Sequence, residues 1–129
     1  MRVSGKICRL CLLVYWLFLT VISLLPAHDA EGPIVEGHLD KFGHFGAYAL
    51  LAFLMRSSLK PARRGDVMSD LIIAALCSVY GLVLEIIQGS ALLGREFSVA
   101  DALSNIAGVI AVLIIIRKVA KRSAAVEVQ

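Results

Sequence analysis

Four stretches of this chain are almost free of charge, and each is close to the length of a membrane crossing. They cover residues 10–25, 42–59, 71–89 and 98–116. A helix needs roughly 20 apolar residues to traverse about 30 Å of hydrocarbon. The first stretch stops at Pro26, the third contains one charge, Glu85, and the fourth one, Asp101. The second is the weakest, because Arg56 interrupts it, but a long basic side chain can snorkel to the membrane surface. The rest of the composition agrees. Of the 129 residues, 59% are hydrophobic and 18% charged, against about 45–50% and 25% in a soluble domain. A single domain of this size has too little interior for that much apolar surface. A soluble enzyme, a disordered chain and a disulfide-stapled module are all disfavoured. The expected fold is all-α: one domain, 1–129, built as an integral membrane bundle of four transmembrane helices.

Two details could alter that reading. Basic residues precede the first stretch, as in a signal peptide, but its 16 apolar residues exceed the usual 7–15. The sequence Pro26-Ala27-His28-Asp29-Ala30 also fits a small-x-small cleavage site poorly, so the stretch reads as a retained helix. Cys8, Cys11 and Cys77 lie in or beside apolar runs. The single C-x-x-C has no second pair and no neighbouring histidine, so the cysteines read as packing residues and not as zinc ligands.

Charge sets the expected orientation. Arg2, Lys6 and Arg9 precede the first stretch; Arg56, Lys60, Arg63 and Arg64 separate the second from the third; Arg117, Lys118, Lys121 and Arg122 follow the fourth. Only Lys41 and Arg95 fall on the other side. The positive-inside rule then puts both termini and the middle loop in the cytoplasm. Asp29, Glu31, Glu36, Asp40, Glu85, Glu96 and Asp101 gather towards the outside. The net charge of +3 is therefore an average over two opposite faces. It indicates topology and anionic lipid contact, not nucleic-acid binding.

In this layout the polar intramembrane residues converge. Asp40, Lys41 and His44 begin the second helix, Glu85 and Gln88 end the third, Arg95 lies in the following loop, and Ser98, Asp101 and Asn105 begin the fourth. Leu92 and Leu93 of that loop read as membrane-surface residues. The spacings of three and four residues put each set on one helical face. Charges inside a membrane are costly and mark functional sites by default. Simpler readings compete residue by residue. Ser98 and Asp101 resemble a capping box, Asp40 reads as an N-cap, Asn105 as interhelical glue, and Glu85 as the partner of Arg95. Tyr15, Trp16 and Tyr48 read as packing or interface residues. Gly108, Ala107 and Ala111 would let helices approach closely.

The residues Asp40-Lys41-Phe42-Gly43-His44-Phe45, with Tyr48 and Leu51, resemble the first signature of VanZ-like membrane proteins. Glu85-Ile86-Ile87-Gln88 followed by Arg95-Glu96-Phe97-Ser98 and the pattern of Asp101, Asn105 and Gly108 resemble the second. The resemblance covers residues 40–108. It implies a bacterial-type, multi-pass protein of the cytoplasmic (inner) membrane and supplies no established catalytic residues.

Two functions are expected to compete. In the first, the polar cluster near the outer leaflet binds or modifies an anionic lipid or cell-envelope precursor. Lys41 and Arg95 would hold the anion, Glu85, His44 and Asp101 are the candidates for proton movement, and Asp40, Gln88, Ser98 and Asn105 support them. In the second, the cluster locks helix packing in an accessory or assembly protein, with another membrane protein as partner. The absence of polar residues in the middle of the cytoplasmic half disfavours a transport path. The His, Asp, Glu and Gln spacing matches no defined metal site, so neither a metal nor another cofactor is assigned.

Overall fold

The computed structural model describes residues 5–25, 36–59, 66–90 and 97–126, which form four helices. These are α1 (Gly5–Ser23), α2 (Glu36–Ser58), α3 (Val67–Gln88) and α4 (Val99–Val126). Each extends beyond its apolar stretch at one end or both. Hydropathy reports which residues shun water, whereas the backbone hydrogen-bond ladder continues through charged helix formers such as Lys6, Arg9, Lys118 and Lys121. α3 begins early because Asp66 caps it: its carboxylate accepts from the amides of Met68 and Ser69, each at 3.2 Å. Ser98 caps α4: its Oγ accepts from the Asp101 amide at 3.2 Å. Asp40, by contrast, lies in the second turn of α2, so the expectation that it caps that helix fails.

Cross-helix contacts fix an up-down-up-down arrangement. Gln88 at the end of α3 donates to the Ser23 carbonyl at the end of α1 (2.8 Å). His44, early in α2, meets Glu85 late in α3 and Asn105 early in α4. The opposite ends of α2, α3 and α4 meet through Arg56, Asp70 and Arg117. Between the two polar levels lies an apolar core of Leu19, Tyr48, Leu51, Ala52, Ile73, Cys77, Val109 and Leu113.

α2 packs most extensively on α4. Gly108 makes this possible: a Cβ there would collide with the Phe45 carbonyl oxygen of α2, so the two backbones touch where only glycine fits. α1 is held more lightly. Tyr15 donates to the Ala47 carbonyl (2.9 Å). Thr20 donates to its own helix at Trp16 (2.8 Å), and so its oxygen accepts from the Tyr80 hydroxyl (2.7 Å).

The outer surface is apolar. Leu10, Leu13, Leu17, Phe18 and Val21 of α1, and Leu71, Leu76, Val79 and Val83 of α3, are all exposed. α1, α3 and α4 are long and apolar enough to cross a membrane. α2, with 23 residues, has the length, but Asp40, Lys41, His44 and its glycines keep it short of that composition.

Candidate functional site

His44 is the hub of the polar level formed by the start of α2, the end of α3 and the start of α4. Its Nδ1 lies 3.1 Å from Asn105 Oδ1 and 3.5 Å from Glu85 Oε1. Its Nε2 lies 3.7 Å from Asp40 Oδ1, one turn earlier on α2. Glu85 is 3% exposed and Asn105 1%, while the Asp40 side chain is 50% exposed. The imidazole thus bridges a closed inner side and an open outer side. Asp101 joins the open side: one ligand-type atom each from Asp40, His44 and Asp101 lie within 4.8 Å of one another. Asn105 Nδ2 is buried and lacks a hydrogen-bond partner among the described residues.

A cavity of about 350 Å³ opens beside this cluster. Phe18, Leu19 and Ile22 of α1 give it an apolar wall, and Asp40, His44 and Gln88 a polar one. Gly43, also on its lining, leaves open space where a side chain would stand. The cavity is therefore amphipathic along its length.

Asp40, His44, Glu85, Asp101 and Asn105 meet in this cluster. Gln88 reaches the same cavity but also ties α3 to α1. Ser98 is occupied as the cap of α4. Lys41 lies elsewhere, on a second cavity of about 270 Å³ with Phe42, Phe45 and Ser104. A three-residue step turns a helix by about 300°, so Lys41 and His44 stand roughly 60° apart, and here that divides them between two cavities. Arg95, the other expected anion ligand, and its proposed pairing with Glu85 lie outside the described residues, as do Glu96, Leu92 and Leu93. So do Arg2, Lys60, Arg63, Arg64 and most of the first outer loop. Among the described ionisable residues, Glu85 approaches His44.

A second polar level, at the other end, was not anticipated in the sequence. Asp70 on α3 receives Arg56 of α2 and Arg117 of α4. Arg117 Nη2 and Nε donate to Asp70 Oδ2 at 2.6 and 3.1 Å. Arg56 Nε lies 2.7 Å from Asp70 Oδ1, though its N–H is not aimed at that oxygen, so the contact is ionic. Arg56 is 4% exposed and Asp70 8%. Arg56 therefore does not snorkel; it turns inward to a carboxylate. The available signal was Asp70 itself, an acid within the basic side of a chain whose other acids mostly segregate away.

No protein-family model, curated protein or solved structure matches this chain.

Proposed function

We propose that this chain is a VanZ-like protein of the cytoplasmic membrane that binds the polar head of a phosphate-bearing lipid or lipid-linked envelope precursor in the cavity beside His44. In this reading all four helices span the membrane and both termini are cytoplasmic, as the basic flanks favour. α2 crosses because α1, α3 and α4 pack against it. From His44 to Arg56 along α2, and from Asn105 to Arg117 along α4, the rise is about 18 Å. Both polar levels then fit within about 30 Å of hydrocarbon, with the His44 level towards the outer leaflet.

The observation that carries the reading is the amphipathic lining of the cavity. Phe18, Leu19 and Ile22 suit an acyl or prenyl chain, while His44 and Gln88 offer hydrogen-bonding groups to a headgroup. The test is a binding titration of the purified protein in neutral detergent with phosphatidylglycerol, a polyprenyl phosphate and phosphatidylcholine. Saturable binding of either anionic lipid, well above phosphatidylcholine, supports the reading. Equal, non-saturable partition of all three overturns it.

One observation favours the assembly reading: the inner side of the cluster, His44, Glu85 and Asn105, is closed on itself. If packing is its whole purpose, Glu85→Gln lowers the yield of folded protein and no lipid binds. Well-folded Glu85→Gln protein with altered lipid affinity contradicts that alternative.

A further inference from the structure

The Asp70 level holds two guanidinium groups, Arg56 and Arg117, against one carboxylate. Arg56 stands in the last turn of α2 and Asp70 in the first turn of α3. The partial charges of those two helix ends, about −0.5 and +0.5, cancel, so the full charges decide. Arg56 is buried, and its Nη1 has no hydrogen-bond partner among the described residues. Arg117 is the accessible member, with its side chain 33% exposed. It gives Nε and Nη2 to Asp70 Oδ2, and Nη1 takes no part in that contact.

The surplus charge reaches the surface on one face of α4. Ile110, Ile114, Arg117 and Lys121 follow at steps of four, three and four residues, which places them in a single stripe. Ile110 and Ile114 are exposed. Lys121 is exposed too and stands one turn, about 6 Å, beyond Arg117. It forms no ion pair among the described residues. The stripe is therefore apolar towards the middle of the bundle and doubly cationic at its end. An anionic phospholipid carries the complementary groups in the same order, acyl chain and then phosphate.

We propose that this stripe binds an anionic phospholipid of the cytoplasmic leaflet, with the phosphate between Arg117 Nη1 and Lys121 Nζ and an acyl chain along Ile114 and Ile110. Asp70 is a positioning residue that holds the Arg117 guanidinium in place. The buried Arg56 adds its charge from behind, where screening by water is weak. The bound phosphate supplies the second negative charge that the level lacks. The site rests on the membrane orientation given above and not on the cavity beside His44, which lies at the opposite end of the bundle.

The test reads each lysine separately. Reductive methylation with a ¹³C label keeps the lysine charge, and the Lys121 signal is assigned by its loss in Lys121→Gln. The labelled full-length protein in neutral detergent is titrated with phosphatidylglycerol, phosphatidylcholine and inorganic phosphate. Phosphatidylglycerol should move the Lys121 signal saturably, and the other two should not. Lys6, exposed at the same membrane face but on α1, should show no matching saturation. Arg117→Lys, which keeps a charge for Asp70 but gives up the free edge, should raise the midpoint about fivefold, the worth of one basic group near an anionic surface. Arg122→Gln, on another face of α4, should leave it unchanged. Circular dichroism checks that both variants are helical.

No saturable movement of Lys121 overturns the site. Equal movement of Lys6 and Lys121 overturns it in favour of a diffuse basic surface, and saturation by inorganic phosphate overturns the lipid as its occupant. An unchanged midpoint in folded Arg117→Lys overturns the role of Arg117. Gly43→Leu, which fills the cavity beside His44, separates the two lipid claims. The Lys121 midpoint should be the same in that variant, and its loss there overturns a separate site. Lys121 titration without any binding at the His44 cavity overturns only the cavity reading.

Discussion

The two polar levels of the bundle use similar side chains in opposite ways. Around Asp70 the contacts are short, 2.6–3.1 Å, and one carboxylate is shared by two guanidinium groups. Around His44 they are longer, 3.1–3.7 Å, and among the described residues of this cluster acids outnumber the imidazole. The first level draws three helices together and adjoins neither of the two cavities described. The second opens onto a cavity of about 350 Å³. Short, charge-assisted contacts suit a lock, whereas longer contacts beside a cavity suit a site that completes itself with a ligand. The difference teaches that the mere presence of charge in a membrane helix does not identify function; the state of its pairing does.

Breaking the lock should have the largest effect. Asp70→Ala leaves two guanidinium groups facing one another near the bundle core. Removing one partner of a buried pair costs about 3–5 kcal/mol, and thermal or denaturant unfolding in detergent should register a loss of that size. A loss below about 1 kcal/mol, the range of surface pairs, would erase the contrast between the levels. Next comes the contact of α2 with α4. Gly108→Val drives a branched side chain into the Phe45 backbone and should cost about 1–3 kcal/mol or more, as overpacking does. Gln88→Leu removes the tie to Ser23 and should cost about 0.5–1.5 kcal/mol, with α1 loosening first in hydrogen exchange. At the other extreme, Asp40→Asn should change stability by less than about 0.5 kcal/mol, as surface substitutions do. A large destabilisation there would make the His44 level a second lock.

The sequence disclosed the helices and one of the two levels, for definite reasons. Apolar stretches mark lipid contact, so they located all four helices but missed their ends, as Asp66 ahead of α3 and Lys118 within α4 illustrate. The recurrence of polar residues at three and four positions was enough to bring Asp40, His44, Glu85, Asp101 and Asn105 to one level, because helical faces are read directly from spacing. Pairing across helices is not. Asp70 and Arg117 stand 47 residues apart, and Arg117 sits in a basic run whose obvious explanation is membrane orientation. Arg56 was open to the same explanation, although its side chain turns inward. Lys41 shows the finer limit: three positions from His44 along α2, it lines a different cavity.

The claim that the cavity beside His44 is a binding site is tested most directly by filling it. Gly43 lines that cavity, while Gly46 on the same helix does not, and a Cβ at either position meets nothing within 4 Å. Gly43→Leu and Gly46→Leu therefore add the same bulk to α2 without a clash at Cβ, and both replace glycine in a helix with a better helix former. Phosphatidylglycerol titration of the two purified variants is the decisive comparison. Gly43→Leu should lose at least about tenfold in affinity, near 1.4 kcal/mol, while Gly46→Leu stays close to the wild type. Undiminished binding in Gly43→Leu, or equal loss in both, would contradict the assignment of this cavity.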